Sequence, residues 1–185
     1  MPHPNHVSPD HFLNLEEADV VTKEQVASAW ELAYGALRQK LVAAGERATL
    51  FVVFGLQGAG KSTWVARNAP LMGSNSIFLD GPLPSRRHRS RALGIASEVG
   101  CRAVAVWVNT PLELAKSRNA TRRGLARIRE EAILHVFEHL EPPSLEEGFA
   151  EIVEVLPHNV PPSPCLEGTP PSGLRPLSAV PHVER

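Results

Sequence analysis

The residues best suited to chemistry stand together at Gly55-Leu56-Gln57-Gly58-Ala59-Gly60-Lys61-Ser62, which fits the pattern G-x-x-x-x-G-K-[ST] without a mismatch. Each type has a physical reason to be there. Gly55, Gly58 and Gly60 allow backbone conformations and close approaches that a side chain would block. The N–H groups of the loop then converge on phosphate oxygens, and the helix that follows adds the partial positive charge of its N-terminus. Lys61 is placed to reach the β- and γ-phosphates of a nucleoside triphosphate. The Ser62 hydroxyl completes the oxygen shell of a magnesium ion, and Thr63 stands next, toward the α-phosphate. An apolar run precedes the pattern and a helical one follows it, which is the context the motif requires. The expected ligand of Gly55 to Thr63 is therefore ATP with Mg2+.

Moving a phosphoryl group also needs an acid, and positive charge around the group that moves. Asp80 ends a second apolar run, Ser76 to Asp80. If that run is a strand parallel to the one before the glycine loop, Asp80 faces the same cleft. There it would hold Mg2+, directly or through water, or accept a proton from an attacking hydroxyl. A plain cap before Gly81-Pro82 is the alternative. Arg118 and Arg122 lie four apart and share a face if their helix persists. With Arg123 and Arg127 they make either a segment that closes over the triphosphate or a solvated cationic helix end. Arg86, Arg87, Arg89 and Arg91 begin a helix, where cations oppose the dipole. Either an anionic substrate or the acidic stretches of the chain would compensate them.

Regular elements must hold these groups in place. Thr22-Lys23-Glu24-Gln25 reads as a capping box for a helix that stops at Gly45. Val26, Trp30, Leu37 and Leu41 share a face of it and dock it on the core. Leu50 to Phe54 is a continuous apolar run, the signature of a parallel strand buried on both faces. A helix is expected over Lys61 to Asn68, closed before Pro70. Strand Ser76 to Asp80 follows, then a helix over Ser85 to Val99 with Gly100 as its stop. Ala103 to Val108 is a third strand. Pro111 opens a helix to about Ala120, with Thr110 or Asn109 as its cap. A last helix spans about Arg129 to Leu140, and a last strand Glu151 to Val155. Strands alternating with helices imply an α/β fold: a small parallel sheet of about four strands, covered on both faces, that binds ligands at its carboxyl edge.

The chain of 185 residues suits one domain over 21–156, including the helix at 22–45. Residues 1–20 are rich in Pro, His and Asn and are expected to be loose. Residues 157–185 carry frequent prolines without apolar periodicity and are expected to be disordered. A net charge of −1 does not announce a nucleic-acid binder, although clustered arginines leave room for a basic cleft. Trp30, Trp64 and Trp107 fall on regular elements and read as core residues rather than base-stacking platforms. No apolar run reaches the ~20 residues that cross a bilayer, so no membrane partner is expected. Cys101 and Cys165 do not make a disulfide framework, and the first residues lack the pattern of a secretory signal. A cytoplasmic setting is the expectation. Oligomeric state has no signature in the sequence.

Four stretches together resemble a known group. They are Gly-Leu-Gln-Gly-Ala-Gly-Lys-Ser-Thr-Trp at 55–64, Leu-Pro-Ser-Arg-Arg-His-Arg at 83–89, Asn-Thr-Pro-Leu-Glu-Leu-Ala-Lys-Ser-Arg-Asn-Ala-Thr-Arg at 109–122 and Leu-Glu-Pro-Pro-Ser-Leu-Glu-Glu-Gly-Phe at 140–149. Over residues 50–155 the chain resembles the AAA_33-type P-loop kinases, a group that includes the kinase domain of phage polynucleotide 5′-hydroxyl kinase. The resemblance implies a three-layer α/β/α P-loop NTPase fold. It implies transfer of the γ-phosphate of ATP to a hydroxyl acceptor, a nucleic-acid 5′ end among the candidates. A small-metabolite kinase and a nucleotide-binding module with little transfer are the alternatives. Arg118 and Arg122 take the places of the group's lid arginines, Lys61 that of its phosphate lysine, and Asp80 that of its general base. The chain also departs from the pattern. The group carries an arginine three positions after the acid, where this chain has Leu83. A second acidic strand is missing before Pro84-Ser85-Arg86-Arg87, so the domain reads as compressed and Asp80 stands for both acids.

Overall fold

The structure is a computed structural model that describes residues 3–13, 21–157 and 175–176. Its strands are β1 (His6–Val7), β2 (Thr49–Phe54), β3 (Ser76–Gly81), β4 (Arg102–Val108), β5 (Glu151–Val155) and β6 (Arg175–Pro176). Its helices are α1 (Lys23–Ala44), α2 (Lys61–Asn68), α3 (Arg86–Val99), α4 (Leu112–Ala120) and α5 (Glu130–Glu138). The sheet runs β1-β3-β2-β4-β5-β6. The first five strands in that order are parallel, and β6 joins β5 antiparallel at the edge.

Side-chain alternation divides each central strand between two apolar layers. Leu50, Val52, Phe54, Ile77, Leu79, Ala103 and Ala105 pack against α1 and α3. Val53, Phe78, Val104, Val106 and Val108 pack against α2, α4 and α5. This is the three-layer α/β/α arrangement of a P-loop NTPase, and it explains why the strands read as unbroken apolar runs. Neighbouring strands β2 and β3 send their helices to opposite faces, α2 to one and α3 to the other. Such a switch opens a crevice at the carboxyl ends of the two strands. The crevice places the end of β2, the start of α2 and the end of β3 together.

Local signals set most boundaries. Thr22 and Gln25 close their capping box at the start of α1, and Gly45 ends it. Gly100 ends α3 in the left-handed conformation. The apolar face of α1 is shifted from the expected one. Ala29, Ala33, Leu37 and Leu41 are buried, whereas Val26 in the first turn is exposed. Small alanines let the helix lie close to the sheet, so the contact follows them rather than Val26.

The main correction is at the amino-terminal end. Residues 3–13, expected to be loose, add β1 to the sheet, so the parallel strands number five rather than four. Two residues flanked by prolines carry no periodic pattern, and the strand is held by backbone and long-range polar contacts instead. Phe78 N donates to Asn5 O at 2.9 Å, Asn5 Nδ2 to Ser74 O at 2.8 Å and Lys40 Nζ to Pro4 O at 2.6 Å. The sheet is thus completed from the front of the chain, at the β3 edge. Of the proline-rich tail expected over 157–185, nearly all lies outside the described residues. Among the described residues, no helix is long and apolar enough to cross a membrane, and Cys101 is a free thiol.

Candidate functional site

The glycine loop runs from the end of β2 to the start of α2, and its glycines are required by its neighbours as well as by any ligand. At Gly55, with φ of 145°, an added Cβ would stand 2.4 Å from the Val108 carbonyl oxygen. At Gly58, with φ of 85°, it would stand 2.3 Å from that of Ala115. Both conformations disfavour side chains, and both contacts exclude one. The loop is therefore clamped between the end of β4 and helix α4. No side chain caps α2, so the N–H groups of its first turn are left for a ligand.

Two side chains brace the loop from the α4 side. Thr110 Oγ1 donates to Ala59 O at 3.1 Å, and Arg118 Nη1 donates to the same oxygen at 3.3 Å. Thr110 or Asn109 was expected to cap α4; the Thr110 hydroxyl instead supports the loop, and α4 follows Pro111 without a side-chain cap. Lys61 folds over the loop, donating from Nζ to Leu56 O at 2.9 Å and Gly55 O at 3.2 Å. Burial lowers its pKa, with Asp80 and Asp10 opposing the shift and the charge of Arg122 adding to it.

Asp80 sits opposite Val53 in the register of β2 and β3, on the α2 face. It is 2% exposed. Ser62 Oγ donates to its Oδ2 at 2.5 Å, and His6 Nε2 lies 3.3 Å from the same oxygen. Burial alone would raise its pKa. The His6 hydrogen bond, the Lys61 charge and the Ser62 hydroxyl outweigh that, so Asp80 is held below the ordinary carboxylate value. Among the described residues Oδ1 makes no hydrogen bond. Asp80 is thus a buried, ionised carboxylate facing a serine hydroxyl and a lysine, as the sequence spacing led us to expect.

The arginines separate into two groups. Arg118 lies on the glycine loop, and Arg122 is exposed with Nη1 reaching Ala126 O at 3.5 Å. Asn119 fastens the segment between them and α5. Its Nδ2 donates to Ile128 O at 2.7 Å, and Ile128 N donates to its Oδ1 at 3.0 Å. The arginine-bearing loop is thus tied at both ends by one buried amide. Alanine at Arg118 or Arg122 should leave melting temperature nearly unchanged and lower turnover more than ATP affinity, because charge placed this way acts mainly on the transition state. Steady-state kinetics with a thermal melt on each variant checks this, and destabilisation with intact turnover would make them structural.

Most of the second group is engaged within the chain. Arg89 is fully buried and forms a two-pronged pair with Glu147, Nε and Nη2 each at 2.8 Å from a carboxylate oxygen. Its Nη1 reaches the carbonyls of Leu83, Pro84 and Glu141, and its guanidinium lies 4.7 Å from the Phe54 ring centre. Arg91 pairs with Glu31 and Arg86 with Glu146. Three of the four arginines at the start of α3 are thus paired with acids of the chain, while Arg87 carries no ion pair among the described residues. Leu83, where an arginine was expected from the resemblance, is buried with φ of 38°, a left-handed conformation uncommon for leucine.

Sequence reasoning missed His6, Thr110 and Asn119. His6 stood in a segment without periodicity. Asn119 was visible between the two arginines, and its length and amide suit a clamp, but only the turn of the chain shows what it closes.

The site's oxygens fit the metal the loop implies. A serine hydroxyl and an ionised carboxylate meeting at 2.5 Å offer the hard donors Mg2+ prefers. A family model, AAA_33, an AAA domain, matches residues 70–143. The match begins after the glycine loop and takes in Asp80, Arg118, Arg122 and Asn119. No curated protein matches the chain. The chain is similar to P-loop nucleotide-binding domains of a group that includes kinases.

Proposed function

From this likeness to AAA_33 domains, we propose that the protein binds ATP and transfers its γ-phosphate to a hydroxyl. The observation that carries the reading is the meeting of Ser62 and Asp80 beside Lys61, at the start of a helix that no side chain caps. The loop from Gly55 to Ser62 holds the phosphates through its backbone. Lys61 turns from the loop carbonyls to the β- and γ-phosphates, and Thr63 stands toward the α-phosphate. Ser62 and Asp80 would hold Mg2+, which would neutralise charge on the phosphates when bound. Arg118, already on the loop, and Arg122 behind it meet the charge that develops on the moving group.

Asp80 has a second task. Its Oδ2 faces Ser62 and His6, which leaves Oδ1 to orient the acceptor hydroxyl and take its proton. A carboxylate with a lowered pKa is a weak base. In a loose phosphoryl-transfer transition state the hydroxyl keeps its proton until late, so orientation matters more than basicity. The resemblance of residues 50–155 admits a nucleic-acid 5′ end or a small metabolite as the acceptor.

Transfer of label from γ-labelled ATP to hydroxyl acceptors, dependent on Mg2+, tests the reading. Lys61→Ala should weaken ATP binding about ten- to a hundred-fold, the loss of roughly 1.5–3 kcal/mol expected for a charged hydrogen-bonding contact, while the fold survives. Calorimetry that finds unchanged ATP affinity in this variant would remove Lys61, and with it the phosphate-binding role of the loop.

A further inference from the structure

The amino-terminal segment does more than complete the sheet. After β1 it turns through a 3-10 helix, Pro9–Phe12, with Ser8 Oγ accepting from Asp10 N at 3.4 Å. Between this turn and α2 lies a cavity of about 390 Å³, walled by His6, Asp10 and His11 on one side and by Ser62, Ala66 and Pro70 on the other. That volume lies within the roughly 300–1,000 Å³ of small-molecule sites. The cavity borders the candidate site. Ser62 belongs to both, and His6 reaches from the cavity wall to Asp80 Oδ2. The His6 and His11 rings meet edge to face at 4.8 Å between centres, which sets the shape of that wall. Asp10 acts electrostatically on Lys61, and Asp80 on His11, so the turn and the loop lie within one field.

We propose that this cavity is the acceptor pocket, and that its acceptor is a small polyhydroxylated molecule of sugar or nucleoside size rather than a nucleic-acid end. The proposal rests on the transfer reading given above and names the acceptor class for the same site. Its walls supply imidazoles, hydroxyls and one carboxylate, groups that both donate to and accept from hydroxyls. Among the described residues no lysine or arginine lines it, and residues 3–13 carry none. A polynucleotide end needs cations to follow its phosphates. At the start of α3, Arg86, Arg89 and Arg91 are paired with Glu146, Glu147 and Glu31, which leaves Arg87 of that set without an ion pair among the described residues. In the reaction an acceptor oxygen forms a bond to the γ-phosphorus. The bond from that phosphorus to the β,γ-bridging oxygen breaks with its electron pair going to ADP, and the acceptor proton passes to Asp80 Oδ1.

The test uses the full chain with γ-labelled ATP and four probes: ribose, glucose, adenosine and a short 5′-hydroxyl oligonucleotide. Ala66→Trp fills the cavity from an exposed turn of α2, and His11→Ala opens its wall; neither position belongs to the core. Transfer is expected to a small probe in preference to the oligonucleotide. Both variants should raise the KM for that probe tenfold or more, while melting temperature and ATP affinity stay as in the parent. Preferred transfer to the oligonucleotide, or a small-probe KM untouched by both variants, overturns the pocket and leaves the transfer reading standing. ATP binding without transfer to any probe defeats the transfer reading and the pocket together.

Discussion

Asp80→Asn is expected to cut phosphoryl transfer at least a hundred-fold while ATP still binds with near-native affinity. The substitution keeps the shape of a side chain that is 2% exposed, so packing is little disturbed. It removes the negative charge that faces Lys61, Ser62 and His6. An asparagine can still accept a hydrogen bond from Ser62. It cannot take the acceptor's proton, and it is a poorer partner for a magnesium ion. Loss of a general base alone costs ~10²–10⁴ in rate. On the proposed reading the main contacts to the phosphates come from the loop backbone and Lys61, which the substitution leaves in place. ATP calorimetry and label transfer on the same preparation separate the two effects. Transfer at the native rate would exclude Asp80 from the mechanism, whereas equal loss of binding and transfer would make it part of the nucleotide grip alone.

Arg89→Met is expected to be the most damaging substitution for the fold. Arg89 and Glu147 side chains are 0% and 3% exposed, and the arginine also donates to three backbone carbonyls. Methionine fills much of the volume but leaves the Glu147 carboxylate buried without its cation. Breaking one side of such a pair costs about 3–5 kcal/mol. For a domain of this size that corresponds to a fall of about 6–20 °C in melting temperature. The double variant Arg89→Met with Glu147→Leu removes both charges, and a large part of the loss should return, since an apolar replacement of a whole buried pair is often neutral. Thermal melts of the two variants decide the matter. A single variant that melts with the parent would show that the pair contributes nothing. A double variant no better than the single one would place the cost in the carbonyl contacts.

The two substitutions mark the division between what was legible in the residue order and what was not. The Gly55 to Ser62 loop was legible because its chemistry is local. Glycine spacing, a lysine and a hydroxyl specify a tight turn from strand to helix, and an unbroken apolar run announces the buried strand before it. The boundaries of α2 and β5 follow their local signals for the same reason, as does the end of α3 at Gly100. Asp80 was legible because parallel strands in register bring their ends together, so a strand-end acid near the loop has few other places to go.

Arg89 and Arg118 were not separable in that way. Both are arginines in cation-rich stretches, and the sequence admits a ligand or an acid as partner for either. Only the return of residues 140–149 across the start of α3 brings Glu147 under Arg89, and only the path of α4 sets Arg118 on the Ala59 carbonyl. His6 is the clearest case. Two strand residues between prolines carry no periodicity of their own. They become a strand because an edge of the sheet stands open beside β3, and the backbone of Phe78 supplies the hydrogen bond that holds them there. The sequence by itself determined the phosphate loop and the class of fold, since both depend on near neighbours. Tertiary structure decided which charges are partners of the chain and which face the site, because such pairs join residues up to 74 positions apart, as His6 and Asp80 do, and distance along the chain says nothing of distance in space.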